Sequence, residues 1–203
     1  MDDGMTTPSP LPTADPTAER TPAGVVTAIL VTRGTTPYLD ASLRAVLAVD
    51  RAPSRVVVAD TSEDSSAQVA PDLGDQVVVH RVPGARSFGT AVSAVLADLP
   101  AVDSTWLWLF HDDSAPERRS LDHLLRALEH TSNVAVAGSK QVRWDAPEEL
   151  LEVGYTVSRS GRRMTGVEDG ELEQGQHDSR DDVLAVGLTG ALVRRSVWLE
   201  LRG

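Results

Sequence analysis

His111-Asp112-Asp113 follows directly on Trp106-Leu107-Trp108-Leu109-Phe110, and at that junction the sequence concentrates its chemistry. Five large apolar residues in a row call for a fully buried strand, whereas two adjacent carboxylates call for water, a cation or both. Such a strand carries charge to the mouth of a core. Each carboxylate makes the other harder to ionise unless something positive lies beside them. A divalent metal is the usual remedy, and hard oxygen ligands of this kind suit magnesium or manganese. Two solvated acids opening a loop are the plainer alternative, and these residues alone leave both readings open.

The surrounding sequence supplies elements able to position the pair. Val25 to Thr32 is a β-branched run of strand length closed by Arg33-Gly34. Thr36 and Pro37 then offer a helix cap and a first-turn residue before Leu39, Leu43, Val46 and Leu47 at helical spacing. Arg55 to Ala59 predicts a second strand, ending in the polar turn Asp60 to Ser65, with a short helix near Ser66. Gln76 to Val82 predicts a third strand, and Val92, Val95, Leu96 and Leu99 a further helix. The central strand comes fourth. Ser114 to Glu117 has the spacing of a capping box ahead of Leu121, Leu124, Leu125 and Leu128, and Val134 to Ala137 predicts a fifth strand.

Alternating strands and helices with continuously apolar strands indicate an α/β fold, a mostly parallel sheet with helices on both faces. Ligands of such sheets bind outside the carboxyl ends of the strands, where strand order reverses. Thr32, Asp60 and Asp112-Asp113 all fall at such ends. Beyond Arg143 the pattern changes. Glu149 to Val157 reads as a strand, Ser158 to Arg162 as a turn, and the strongly acidic Glu168 to Asp182 as a mobile loop or hairpin. Val183 to Leu188 returns to strand character and Leu192 to Leu201 predicts a last helix.

Composition narrows the function. The chain of 203 residues carries a formal charge of −11, which argues against general affinity for nucleic acid. It has no cysteine, excluding disulfides and thiolate metal sites. No apolar run approaches the roughly 18 residues of a membrane span. Residues 1–24, rich in Pro, Thr, Asp and Ala, read as a disordered leader, with one domain over 25–203. The expected setting is cytoplasmic, as a soluble chain or as the cytosolic part of a longer membrane-associated protein.

With these elements in order, the chain resembles the family 2 glycosyltransferases of GT-A fold. The resemblance covers about Val25 to Gly203. It rests on Val31-Thr32-Arg33-Gly34 after the first strand and Val56-Val57-Val58-Ala59-Asp60-Thr61-Ser62 at the second. His111-Asp112-Asp113 with Pro116 matches the family's aspartate motif, and Thr189-Gly190-Ala191-Leu192-Val193-Arg194-Arg195 its Gly-Ala element. The resemblance implies that Asp60 accepts a hydrogen bond from a nucleotide base, that Asp112 touches the ribose, and that Asp113 binds the metal bridging the diphosphate. It also draws Thr32, Arg33, Arg86 and Gly190 into the nucleotide-sugar site. Two of these residues keep a second reading: Asp60 as a helix cap, and Arg86 as a surface residue at a helix start. His111, where the family most often has an acid, is either a ligand or a satisfied side chain.

The reaction that the resemblance implies is a metal-dependent, inverting transfer of sugar from a nucleoside-diphosphate sugar to a carbohydrate or lipid-linked acceptor, as in cell-wall or polysaccharide biosynthesis. A divalent cation would stabilise charge on the departing diphosphate. The family's catalytic base is expected C-terminal to Gly203, which leaves a non-catalytic nucleotide-sugar-binding module of the same fold as the alternative. The acids of 168–182 cluster as a solvated loop rather than as one positioned base.

Overall fold

The first strand, β1 (Val26–Thr32), is buried at every position, as a seven-residue apolar run in the middle of a covered sheet must be. The computed structural model describes residues 24–64, 66–100, 105–129, 133–180 and 182–201. The expected leader therefore lies, except for Gly24, outside the described residues. After β1 come α1 (Leu39–Leu47), β2 (Arg55–Asp60), β3 (Val77–Arg81), α2 (Phe88–Asp98), β4 (Trp106–His111) and α3 (Ser120–Glu129). Short strands follow: β5 (Val136–Ala137), β6 (Gln141–Val142), β7 (Leu150–Glu152), β8 (Thr156–Val157), β9 (Arg163–Met164) and β10 (Leu192–Arg194). The last helix is α4 (Arg195–Leu201).

Six strands form one sheet in the order β3-β2-β1-β4-β10-β5. The first four are parallel, and β10 runs antiparallel to both its neighbours. The period-2 alternation of each strand divides its residues between two cores. Val26, Ala28 and Leu30 of β1, Val56 and Val58 of β2, and Trp106, Trp108 and Phe110 of β4 face one way. Leu39, Leu43 and Val46 of α1 and Leu121, Leu124 and Leu125 of α3 cover them. Ile29, Val31, Val57, Leu107 and Leu109 face the other way, under Val92, Val95 and Leu96 of α2 and Trp198 of α4. The mostly parallel α/β architecture is thus the one expected. Among the described residues no helix is long and apolar enough to cross a membrane.

Several boundaries differ from the sequence reading. No helix forms near Ser66; a 3-10 turn at Pro71–Leu73 stands there instead, because the backbone of Ala67 and Gln68 bonds to Asp60 and Thr35. Ser114 does not cap α3. Its hydroxyl donates to His111 O at 2.6 Å, tightening the turn after β4, and the helix begins at Ser120. The run Glu149 to Val157 is two strands, split at Gly154, whose φ of +96° and contact with Val183 leave no room for a Cβ. Val183 to Leu188 is not a strand. Strand character falls on Leu192–Arg194, where the expected last helix was to start, because those residues fill the place beside β4. The turn at Ser158 to Arg162 is present and joins β8 to β9.

Candidate active site

Chain connections leave β1 and β4 in opposite directions across the sheet, toward β2 and β3 on one side and toward β10 and β5 on the other. At such a reversal the loops part and a crevice opens at the strands' carboxyl ends. The parallel register sets Thr32 opposite Asp60 and Val31 opposite His111. Thr32 therefore stands between the two acidic strand ends. Its hydroxyl lies 2.8 Å from Asp112 Oδ2 and 2.7 Å from Gly34 O, so its single proton serves one or the other. From α1, Ser42 donates to Asp112 O at 2.7 Å. Asp112 is thereby held by side chain and backbone, whereas Asp113 is exposed and its carboxylate has no partner among the described residues.

Asp60 is wholly buried. Its Oδ1 accepts from the N–H groups of Gly34 and Ser62 at 3.0 and 2.9 Å, and its Oδ2 from that of Ala67 at 2.7 Å. Burial alone would raise the carboxyl's pKa, but these N–H groups and the Ser62 hydroxyl favour the ionised form more strongly and hold it below the usual value. Gly34, at φ +81°, lets the chain turn sharply enough to aim its N–H back at Asp60. The residue thus organises both loops that flank the crevice, and direct contact with a base would require it to surrender one of these bonds.

Arg33 is exposed and, with Ser62, Glu63 and Asp64, lines a depression beside Asp60. Arg81, at the end of β3, donates to Ser62 O and Glu63 O, both at 3.1 Å, and so fixes the wall of that depression. A larger hollow between the end of α1 and residues 116–123 contains none of the acids. Arg86 is exposed just ahead of α2, whose first turn is capped reciprocally by Ser87 and Thr90. Gly190 lies beside the end of β4. Its N–H donates to Leu109 O at 2.7 Å and its carbonyl accepts from Trp108 Nε1 at 3.3 Å. The two arginines after it are structural: Arg194 lies 4.5 Å over the Trp106 ring, and Arg195 is buried.

His111 packs its ring against Phe88, centroids 4.6 Å apart, and its nitrogens have no partner among the described residues. Among those residues no group of three or more His, Asp or Glu is arranged to hold a metal. The donors present are the Asp113 carboxylate, the remaining capacity of Asp112 and the His111 imidazole. That set is sparse for a permanently housed ion but suits magnesium or manganese arriving with a diphosphate, since these ions keep several waters and need few protein carboxylates.

Sequence reasoning missed Ser42 and Arg81. Ser42 is a polar residue on the apolar stripe of α1, between Leu39 and Val46, and that misplacement was its only signal. Arg81 gave none, since a charged residue ending a strand is commonplace.

Residues 22–203 match the model of a family described as glycosyltransferase-like family 2. The chain is 29% identical over 182 residues to the galactofuranosyltransferase GlfT1 of Mycolicibacterium smegmatis, covering 84% of this chain and 56% of that protein. It thus spans little more than half of that relative's length. Among solved structures it is similar to the mannosyltransferase PcManGT of Pyrobaculum calidifontis, a complex with GDP-Man and Mn2+. The identity is 19% and the TM-score 0.45, over 60% of this chain and 37% of that one. The 1–349 portion of S. aureus TarS gives 14% and 0.42 over 64% and 41%. A 4-diphosphocytidyl-2C-methyl-D-erythritol synthase of Anaerococcus prevotii gives 11% and 0.47 over 88% and 75%.

Proposed function

Since this chain belongs to the glycosyltransferase-like family 2, we propose that it forms the donor-binding part of an enzyme that moves a sugar from a nucleoside-diphosphate sugar to an acceptor hydroxyl. The observation that carries this reading is the gathering of Thr32, Asp60 and Asp112 at one switch point, with Asp113 left exposed beside them. In this reading Asp112, steadied by Thr32 and Ser42, uses its remaining acceptor capacity on ribose hydroxyls. Arg33 and Arg86 contribute charge toward the diphosphate, and Asp60 shapes the base side by holding the Gly34 turn and the Ser62–Ala67 segment. Gly190 serves by close backbone approach, its N–H being already committed.

Asp113 would hold a divalent ion, which supplies positive charge against the diphosphate as it departs. Attack of the acceptor oxygen from the opposite side of the anomeric carbon, with its proton passing to a general base as the bond to the diphosphate breaks, inverts that centre. The donor is a nucleotide sugar, the acceptor a carbohydrate or lipid-linked hydroxyl, and the cytoplasmic side is where the donor would be met.

Isothermal titration of the chain with UDP, GDP and dTDP, with and without manganese, tests the proposal. Binding of at least one nucleotide that depends on manganese and disappears in Asp113→Ala is the expected result. Binding indifferent to both the ion and the substitution would refute it.

A further inference from the structure

Tyr38 and Trp144 are 50% and 51% exposed, yet their rings meet edge to face with centroids 6.1 Å apart. They come from elements far apart in sequence. Tyr38 immediately precedes α1, and Trp144 sits in the connection between β6 and β7. Large aromatic surface left in water on two separate elements, and brought together there, is poor core and suits a ligand platform.

Their position follows from a closed circuit of contacts. Tyr38 O accepts from Ser42 N at 2.9 Å, and Ser42 Oγ donates to Asp112 O, which places Tyr38 one helical turn from the serine that holds the Asp112 backbone. On the other side, Gln141, three residues before Trp144, donates from Nε2 to Thr189 O at 2.8 Å. The next residue, Gly190, is bonded to Leu109 of β4, two residues before His111. The circuit therefore runs from Asp112 through α1 to Tyr38, across to Trp144, and back through β6 and Gly190 to β4. His111, Asp112 and Asp113 lie along it, on the side of the switch point away from Asp60 and Arg33.

The platform is built to stay in place. Arg143 donates to both carboxylate oxygens of Asp145, at 3.1 and 2.9 Å, and its backbone N–H donates to Glu149 O at 3.0 Å, so the tip carrying Trp144 is braced on both sides. Trp108 and Trp198 direct their indole N–H groups to Gly190 O and Ser93 Oγ. Neither the Trp144 N–H nor the Tyr38 hydroxyl has a partner among the described residues.

We infer that Tyr38 and Trp144 bind the sugar ring of the acceptor in the angle between them, one ring lying under its C–H face and the other against its edge, with their polar tips toward its hydroxyls. A sugar ring presents polarised C–H groups on one face, complementary to the negative face of an aromatic ring, and hydroxyls at its edge. Two rings match one such ligand and are far smaller than the roughly 800 Å² per partner of a stable protein interface. The inference rests on the transferase reading for the word acceptor; the carbohydrate site itself is measured separately from nucleotide binding.

The experiment is saturation-transfer NMR on the chain with methyl β-D-galactofuranoside, methyl α-D-mannopyranoside and methyl β-D-glucopyranoside. Nucleotide affinity in manganese is measured on the same samples by calorimetry. At least one glycoside should receive transfer, strongest at the ring C–H protons of one face. Trp144→Ala and Tyr38→Ala, on separate elements and both at half-exposed positions, should each weaken its affinity roughly fivefold to tenfold, while Trp144→Phe, which keeps a ring but loses the indole N–H, falls between wild type and Trp144→Ala. Nucleotide affinity should be equal in all four proteins. Glycoside affinity unchanged in both alanine variants, or no transfer to any of the three glycosides in the wild type, overturns the inference and leaves the nucleotide reading standing. Absence of nucleotide binding in the wild type defeats that reading alone, since the glycoside signal still judges the platform.

Discussion

Thr32 and Asp112 are 80 residues apart in sequence and joined by a hydroxyl-to-carboxylate contact of 2.8 Å. The contact ties the end of β1 to the loop after β4 across the point where strand order reverses. It also takes up one oxygen of Asp112, leaving the other for a ligand. Thr32→Val keeps the shape and the β-branch but removes the hydroxyl, so Asp112 should lose its orientation while the strand persists. Stability should fall by about 1.5 to 3 kcal/mol, the usual worth of a hydrogen bond to a charged acceptor. Nucleotide affinity should fall more than the melting temperature suggests. Equal affinity in wild type and variant would show that the contact orients nothing.

Asp113 is the converse case, a carboxylate at the rim that nothing in the described structure satisfies. Asp113→Ala should leave the thermal midpoint close to wild type, since surface changes away from caps and cores stay within about 0.5 kcal/mol. Manganese should no longer raise nucleotide affinity. Calorimetry with and without the ion reads this directly, and a variant whose affinity still rises with manganese would remove Asp113 from the ion's coordination.

Asp60→Asn probes the opposite extreme. The substitution replaces a buried acceptor of three backbone N–H groups by an amide with only one acceptor oxygen, turning an NH2 toward a donor. A loss of about 3 kcal/mol is expected, within the range for buried groups left unsatisfied. The pH dependence has a definite sign. Asp60 is held below its unfolded pKa, so its stabilisation is complete above about pH 4 and drains away as pH falls through the folded value. Denaturant unfolding between pH 3 and 7 should show wild-type stability falling at the acid end and the variant's curve flatter there. Parallel curves would mean the carboxylate's charge contributes nothing to folding.

Much of this architecture was legible because burial on both faces leaves a plain mark. The unbroken apolar runs of β1, β2 and β4 read as buried strands, and Thr32, Asp60 and the acid pair after His111 had to lie at one edge. The family resemblance added the order of the motifs. What stayed hidden depends on tertiary partners. Leu192–Arg194 has the composition of a helix start, and only the vacant edge of β4 makes it a strand. Asp60 kept both a base and a cap reading, because the three N–H groups that converge on it come from Gly34, Ser62 and Ala67, and no spacing rule joins Gly34 to the others. Tyr38 and Trp144 lie more than a hundred residues apart, and nothing in either segment points to the other.

Of the acidic segment Glu168 to Asp182, read from sequence as a mobile loop or hairpin, the part from Glu171 to Asp178 is tethered in the fold by Lys140 and by backbone bonds to Glu148 and Leu150. Lys140 pairs with both Glu173 and Asp178, and Glu171 is held to a pKa of about 2 by Gln176, the Glu168 N–H and His177. One oxygen of Glu173 is buried with no hydrogen-bond partner, while the other accepts from Lys140 and from the Gly175 N–H, which together favour the ionised carboxylate. Lys140→Met removes the charge that the two carboxylates share, leaving Glu173 and Asp178 to repel each other and the segment free to swing out. Digestion with a glutamate-specific protease at neutral pH should then cut after Glu171 or Glu173 several times faster than in the wild type, with the thermal midpoint of the sheet little changed. The bonds of Glu171 to Gln176 and His177 run within the segment itself and should not by themselves hold it closed once the lysine is gone. Equal cleavage rates in the two proteins would locate the restraint elsewhere, in the backbone bonds of Leu150 to Glu171 and of Glu173 to Glu148.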